Sequence, residues 1–274
     1  LGTDPDCDRV GAVVKTKDGS YTVLTGNMTG TLICNYICSQ KAKLGTLPKN
    51  GALVSTIVSS EMTKAIAKKY NLAYFDVLTG FKYIGEKIKE FEQTGDYQYV
   101  FGFEESYGCL SGTYARDKDA VVASLLICEM AAYYKSQGKT LIDVMNGLYD
   151  EFGYYCNTVQ SYTFEGAAGM EKMAAIMDGL RDNKPSSFAG YEVTKIDDYK
   201  TSKSTIVKTG EESEITLPKS NVLAYTLTNG NKVIVRPSGT EPKIKAYITA
   251  IGQSEENAKE IAQRLLNDAN ELMK

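Results

Sequence analysis

Asp4, Asp6 and Asp8 alternate within the opening LGTDPDCDR, and Arg9 follows at once. Three carboxylates on one short loop could each give an oxygen to a hard divalent cation such as Mg²⁺, which takes few protein ligands and leaves room for a phosphate. A guanidinium beside such a metal suits an incoming phosphate, which needs a positive wall as well as a cation. An EF-hand is rejected, because that loop requires glycine at its sixth and glutamate at its twelfth position. Counting from Asp4, those places hold Arg9 and Lys15. Spacing alone leaves a metal loop and an acidic, solvated turn started by Asp4-Pro5 level.

Two further stretches carry candidate chemistry. In RPSGTEP, Arg236 offers a two-pronged donor, Ser238 and Thr240 offer hydroxyls, and Gly239 lets backbone N–H groups approach an anion. Lys245 follows on the outgoing strand. The plain alternative is a hairpin connection rich in turn residues. In GFEESYG, residues 102–108, Glu104 and Ser106 set acceptors and a hydroxyl at the end of a strand, as sugar hydroxyls require; a helix start is the plain alternative. Metal, sugar acceptors and a remote phosphate clamp together fit a phosphosugar.

Composition bounds these readings. The 274 residues leave room for roughly two domains, and 43% apolar against 24% charged residues is the balance of a soluble globular protein. A net charge of -3, with no basic run beyond a pair, gives no footprint for nucleic acid or an anionic membrane. The most apolar stretch, residues 120–134, is too short to span a bilayer, contains Glu129 and is expected to be a buried helix. No signal peptide is evident. Histidine is absent, which excludes Ser-His-Asp and Cys-His chemistry and His-ligated metal sites within this chain. Six scattered cysteines without a CxxC pair suit reduced thiols in the cytoplasm. Cys34 and Cys38, one helical turn apart, read as core.

Elements must bring these residues together. Residues 10–15 read as a strand, 17–20 as a turn and 32–39 as part of a helix. From residue 52, strands (52–58, 72–77, 98–103) alternate with helices (61–70, 83–94), which implies right-handed crossovers and a mostly parallel sheet. The loops leaving the strands' carboxyl ends then share one edge, where ligands bind in such sheets. They are Ser59-Ser60, the LTGFK loop with Lys82, and EESYG. Helices over 120–134 and 141–152 follow, the second with a Thr140/Asp143 capping box. The stretch around residues 154–161 is expected to be a hinge, and Met170, Met173, Ile176, Met177 and Leu180 to line a core-facing helix. Strands at 222–228, 231–236 and 243–251, a turn at Asn229-Gly230 and a terminal helix from Ser254 make a smaller α+β domain.

DPDCDR, TGFK, GFEESYG and RPSGTEPKIKAY stand in the same order as the signature loops of the α-D-phosphohexomutase family, and the chain resembles that family over essentially its whole length. The likeness is to its phosphoglucomutase/phosphomannomutase/phosphopentomutase type. It implies a carboxyl-terminal fragment in three parts: the tail of domain 2 with the metal loop (1–19), the sugar-binding α/β domain 3 (20–152) and the phosphate-binding α+β domain 4 (153–274). The phosphoserine of the family would lie upstream, on amino-terminal domains missing from this chain.

The resemblance also implies roles. Asp4, Asp6 and Asp8 would ligate Mg²⁺, Arg9 and Lys82 would be catalytic, and Glu104 and Ser106 would bind ring hydroxyls. Arg236, Ser238, Gly239, Thr240 and Lys245 would clamp the non-reacting phosphate. The implied reaction interconverts glucose 1-phosphate and glucose 6-phosphate through a phosphoserine and glucose 1,6-bisphosphate, and the fragment alone is expected to be inactive. Phosphomannomutase, phosphopentomutase and a non-catalytic phosphosugar-binding module are the alternatives. Cys7 stands where relatives commonly have glycine or another small residue, and Tyr107-Gly108 where shorter ones have Gly-His.

Overall fold

The computed structural model describes residues 1–239 and 241–273. They form two compact units, Leu1–Phe152 and Gly153–Lys274. Residues 1–24 form a three-stranded antiparallel sheet: β1 (Gly2–Thr3), β2 (Val10–Lys15) and β3 (Tyr21–Leu24). Val10 and Ala12 of β2 are buried while Val13 is exposed, the alternation of a sheet with one covered face. The division expected near residue 19 falls at the turn between β2 and β3, inside this sheet.

Thr25 caps α1 (Gly26–Lys43) by accepting the Met28 N–H at 3.2 Å. Next come β4 (Gly51–Thr56), α2 (Met62–Lys69), β5 (Ala73–Val77), α3 (Phe81–Thr94), β6 (Gln98–Phe103) and β7 (Cys109–Leu110). The sheet order is β5-β4-β6-β7; β5 and β6 flank β4 in parallel and β7 closes the edge antiparallel. Every residue of β4 is buried, as a central parallel strand with both faces covered requires. Gly102 faces Ile84 of α3, and the next residue, Phe103, faces Gly30 of α1. Helix α3 starts at Phe81, two residues before the expected start, so Lys82 stands in its first turn and not in the preceding loop.

The unit ends with α4 (Ala120–Lys135) and α5 (Leu141–Phe152). Thr140 and Asp143 exchange the reciprocal bonds of a capping box. Helix α4 is not the buried helix its composition implies: Ala123, Ile127 and Met130 are inside, but Val121 and Leu125 are exposed. No helix among the described residues is long and apolar enough to cross a membrane.

The second unit has β8 (Tyr154–Thr163), α6 (Gly166–Asp182), β9 (Ser187–Phe188), β10 (Tyr191–Asp198), β11 (Lys203–Ile206), β12 (Glu212–Glu214), β13 (Leu223–Leu227), β14 (Lys232–Pro237), β15 (Lys243–Gly252) and α7 (Glu255–Leu272). Its antiparallel sheet runs β12-β11-β10-β13-β14-β15-β8, with β9 on β10. The stretch expected to be a hinge, 154–161, is β8, paired with β15 along its full length, and the division between the two units falls just before it, between Phe152 and Gly153. Met173, Met177 and Leu180 of α6 and Ile261 and Leu265 of α7 close one core against Tyr225, Val233, Val235 and Ile248. Met170 is exposed.

Asp119 caps α4, its Oδ1 accepting the N–H groups of Val121 at 2.7 Å and Val122 at 3.1 Å. Burial works to raise its pKa, but the Tyr114 hydroxyl and these amides outweigh it and hold the carboxyl below its ordinary 3.8. A depressed folded pKa means the cap contributes above pH 4 and is lost as pH falls through the lower folded value. Asp119→Ala should therefore destabilise by about 1 kcal/mol at pH 7 in urea melts, and the difference should shrink as the medium is acidified below the ordinary carboxylate value of 3.8.

Candidate active site

The acidic loop is a closed turn between β1 and β2. Cys7 N–H donates to the Asp4 carbonyl at 3.0 Å and Asp4 N–H to the Arg9 carbonyl at 3.3 Å. Cys7 sits at φ +55°, in the left-handed region that favours glycine, which accounts for the small residue expected at this place. The side chain of Asp4 accepts the Asp8 and Arg9 amides at 3.2 and 3.0 Å. The Arg9 amide, foremost, holds the Asp4 carboxyl below its ordinary value. Arg9 Nε meets Asp4 Oδ2 at 3.0 Å and Asp8 Oδ1 at 3.2 Å, and the bond to Asp8 raises its pKa. Half of the Arg9 side chain stays exposed.

Backbone bonds tie this loop to the strand-end loop at 104–108. Arg9 and Gly108 form an antiparallel bridge. Val10 N–H donates to Tyr107 O at 3.3 Å, Glu104 N–H to Gly108 O at 2.8 Å, and Ala120 N–H to Cys7 O at 3.1 Å. Glu104 is buried, and its Oε1 accepts the Gly80 N–H at 2.7 Å. Gly80 has φ +122°, a conformation that admits glycine almost alone, and from it the chain turns directly into α3. Thr79 Oγ1, one residue earlier, is buried without a hydrogen-bond partner among the described residues. Exposed Lys82 lies over the Tyr83 ring at 4.7 Å, and Ser106 is half-buried. The first unit thus brings Asp4, Asp6, Asp8, Arg9, Lys82, Glu104 and Ser106 to the carboxyl edge of one sheet.

Lys118 is the residue that motif reading missed. Its Nζ bonds Asp8 Oδ2 at 2.8 Å and Asp117 Oδ1 at 3.0 Å, with the side chain only 15% exposed. Its stem crosses Gly108, where a Cβ would stand 2.1 Å from Lys118 Cδ, and its ammonium lies 5.7 Å from the Phe81 ring centre. Burial works to lower its pKa, and Asp8 and Asp117 more than reverse that. The available signal was RDKD, four charges in a row immediately before an apolar helix.

In the second unit, Arg236 of β14 stands directly opposite Lys245 of β15. Like charges in a cross-strand pair repel, and an anion bound between them would offset that. Ser238 N–H donates to Lys243 O at 2.7 Å, and Ser238 Oγ accepts the Glu241 N–H at 3.2 Å, which curls the turn. Gly239 is exposed and a Cβ there would meet nothing. Thr240 lies outside the described residues.

Chemically the acidic loop suits a hard cation: the three aspartates offer one oxygen each, all within 4.8 Å of one another. Family models match twice: "Phosphoglucomutase/phosphomannomutase, alpha/beta/alpha domain III" over residues 25–152, and the "C-terminal domain" of the same family over residues 188–267. The chain belongs to the phosphoglucomutase/phosphomannomutase family. It is 41% identical over 250 residues to the phosphoglucomutase of Staphylococcus aureus strain USA300, covering 91% of this chain and 44% of that protein. It therefore spans less than half the length of that relative. The fold matches the open form of Paramecium pp63/parafusin, a phosphoglucomutase (TM-score 0.66, 18% identity, 99% of this chain and 44% of that one). It also matches Aspergillus fumigatus N-acetylphosphoglucosamine mutase in complex with GlcNAc-6P and magnesium (TM-score 0.54, 14% identity, 100% of this chain and 48% of that one).

Glu104→Ala should leave the half-buried Gly80 amide without its acceptor and cost about 1 kcal/mol. Amide exchange read by NMR should show Gly80 losing protection while Leu53 in β4 keeps its own.

Proposed function

We propose that this chain is the sugar- and phosphate-binding portion of a phosphohexomutase that interconverts glucose 1-phosphate and glucose 6-phosphate through a phosphoserine and glucose 1,6-bisphosphate. Mannose and pentose phosphates are the neighbouring substrate choices. The observation that carries this reading is the convergence of acidic, lysine and Glu-Ser loops on one sheet edge, held by the Arg9–Gly108 bridge and the Gly80–Glu104 bond. Asp4, Asp6 and Asp8 would hold Mg²⁺, which when bound supplies positive charge against the transferring phosphoryl group.

The chain's own residues do the rest. Glu104 and Ser106 accept ring hydroxyls and set the sugar's orientation. Arg9, half exposed beside the carboxylates, and Lys82, exposed in the first turn of α3, face the phosphoryl charge. Either way, positioning and charge stabilisation supply most of the catalysis in phosphoryl transfer. Arg236, Lys245, Ser238, Gly239 and Thr240 clamp the phosphate that does not react. A phosphoserine would belong to the part of the relatives that this chain does not span, so the chain by itself should turn over no substrate. The cytoplasm, where free thiols stay reduced, is the compartment that suits its six free cysteines.

Calorimetric titration of the 274-residue chain with glucose, mannose and ribose 1-phosphates, beside a coupled mutase assay, tests this. Binding without turnover is expected, with Arg236→Ala weakening binding about tenfold or more by loss of a charge-assisted bidentate contact. Turnover by the chain alone would contradict the missing nucleophile. Absence of binding to all three would overturn the assignment.

A further inference from the structure

Both carboxylate oxygens of Asp8 are engaged by cations: Oδ1 by Arg9 Nε at 3.2 Å and Oδ2 by Lys118 Nζ at 2.8 Å. A divalent ion ligated by Asp8 needs one of those oxygens. Arg9 is poorly placed to yield, because its backbone is bridged to Gly108 and its Nε also holds Asp4. Lys118 has somewhere else to go. Asp117 Oδ1 already shares the ammonium at 3.0 Å and accepts the Lys118 backbone N–H at 2.8 Å. The stem is mostly buried along Gly108 and the ammonium lies near the Phe81 ring, so the pivot between the two carboxylates is a short one.

We propose that Lys118 is a two-position counter-ion of the acidic loop, bound to Asp8 until a divalent cation takes that oxygen and then retained by Asp117, and that this exchange sets the affinity for the cation. The proposal rests on the reading of Asp4, Asp6 and Asp8 as a divalent-cation site. Lys118 acts here as a positioning residue: its charge competes with the incoming ion, and Asp117 eases the competition by holding the displaced ammonium. The two residues therefore pull the affinity in opposite directions. A simple structural prop would lower it on either substitution.

Mn²⁺ titration of the 274-residue chain, followed by electron paramagnetic resonance of the free ion, reads this directly. Lys118→Met should bind Mn²⁺ about tenfold more tightly than the unaltered chain, the scale of one partly screened unit charge near a divalent ion. Lys118→Arg retains the competing charge and should stay within about threefold. Asp117→Asn should weaken binding by about threefold, and the same change on the Lys118→Met background should do nearly nothing, because the two act through one exchange. Equal or weaker binding by Lys118→Met overturns the proposal, and so does an Asp117→Asn effect of equal size in both backgrounds. If every variant binds alike, the cation site stands and the role of Lys118 falls. If none binds Mn²⁺, the cation site falls with it.

Discussion

The first unit depends on one short piece of backbone pairing, the bridge between Arg9 and Gly108 with its neighbouring bond from Val10 to Tyr107. It joins the end of an acidic turn to a loop almost a hundred residues later. Without it the carboxylates would be only a charged turn on a hairpin, which is what their spacing alone allowed. With it, the same turn lies against the loop that carries Glu104 and Ser106. Glu104 then passes the restraint on, since its bond to Gly80 fixes the point from which α3 and Lys82 begin. Three loops that never meet in sequence become one edge with a shared frame.

The electrostatics follow from that frame. Asp4, Asp6 and Asp8 would repel one another on an isolated loop. Here two cations, Arg9 and Lys118, are paired with Asp4 and Asp8, and backbone amides point at Asp4. Such partly exposed pairs add little to stability one by one. Their larger effect is to hold carboxylates close enough for a hard cation while leaving Asp6 exposed. In the second unit the arrangement is reversed: Arg236 and Lys245 face each other across a β-ladder, a pairing that favours an anion.

Much of this was legible in the sequence, for identifiable reasons. Buried parallel strands such as GALVST show no polar alternation and are inside along their whole length, and amphipathic helices such as α3 carry a clear period, so the α/β unit and its binding edge could be read ahead. The Asn229-Gly230 turn was equally plain, and both residues adopt positive φ. Three features escaped. Strands β11 and β12 are short, polar and at the sheet's edge, and the apolar pattern of β10 is cut short by its charged end, so no sustained apolar alternation announces them. The β8 strand read as a hinge because its partner, β15, lies far along the chain, from Lys243 opposite Thr163 to Gly252 opposite Tyr154, and only the ladder reveals it. Lys118 was hidden for a related reason: its charge is explained by Asp8, a contact across more than a hundred residues.

The central claim is that a cation held by the acidic loop sits beside both strand-end loops. Amide broadening by substoichiometric Mn²⁺ in the 15N-labelled chain tests it most directly. Strongest broadening is expected at Asp8, Gly80 and Gly108, and much less at Gly95 and Gln98, at the opposite end of strands about 20 Å long. Broadening at Asp8 that spared Gly80 and Gly108, or no site-selective broadening at all, would contradict it.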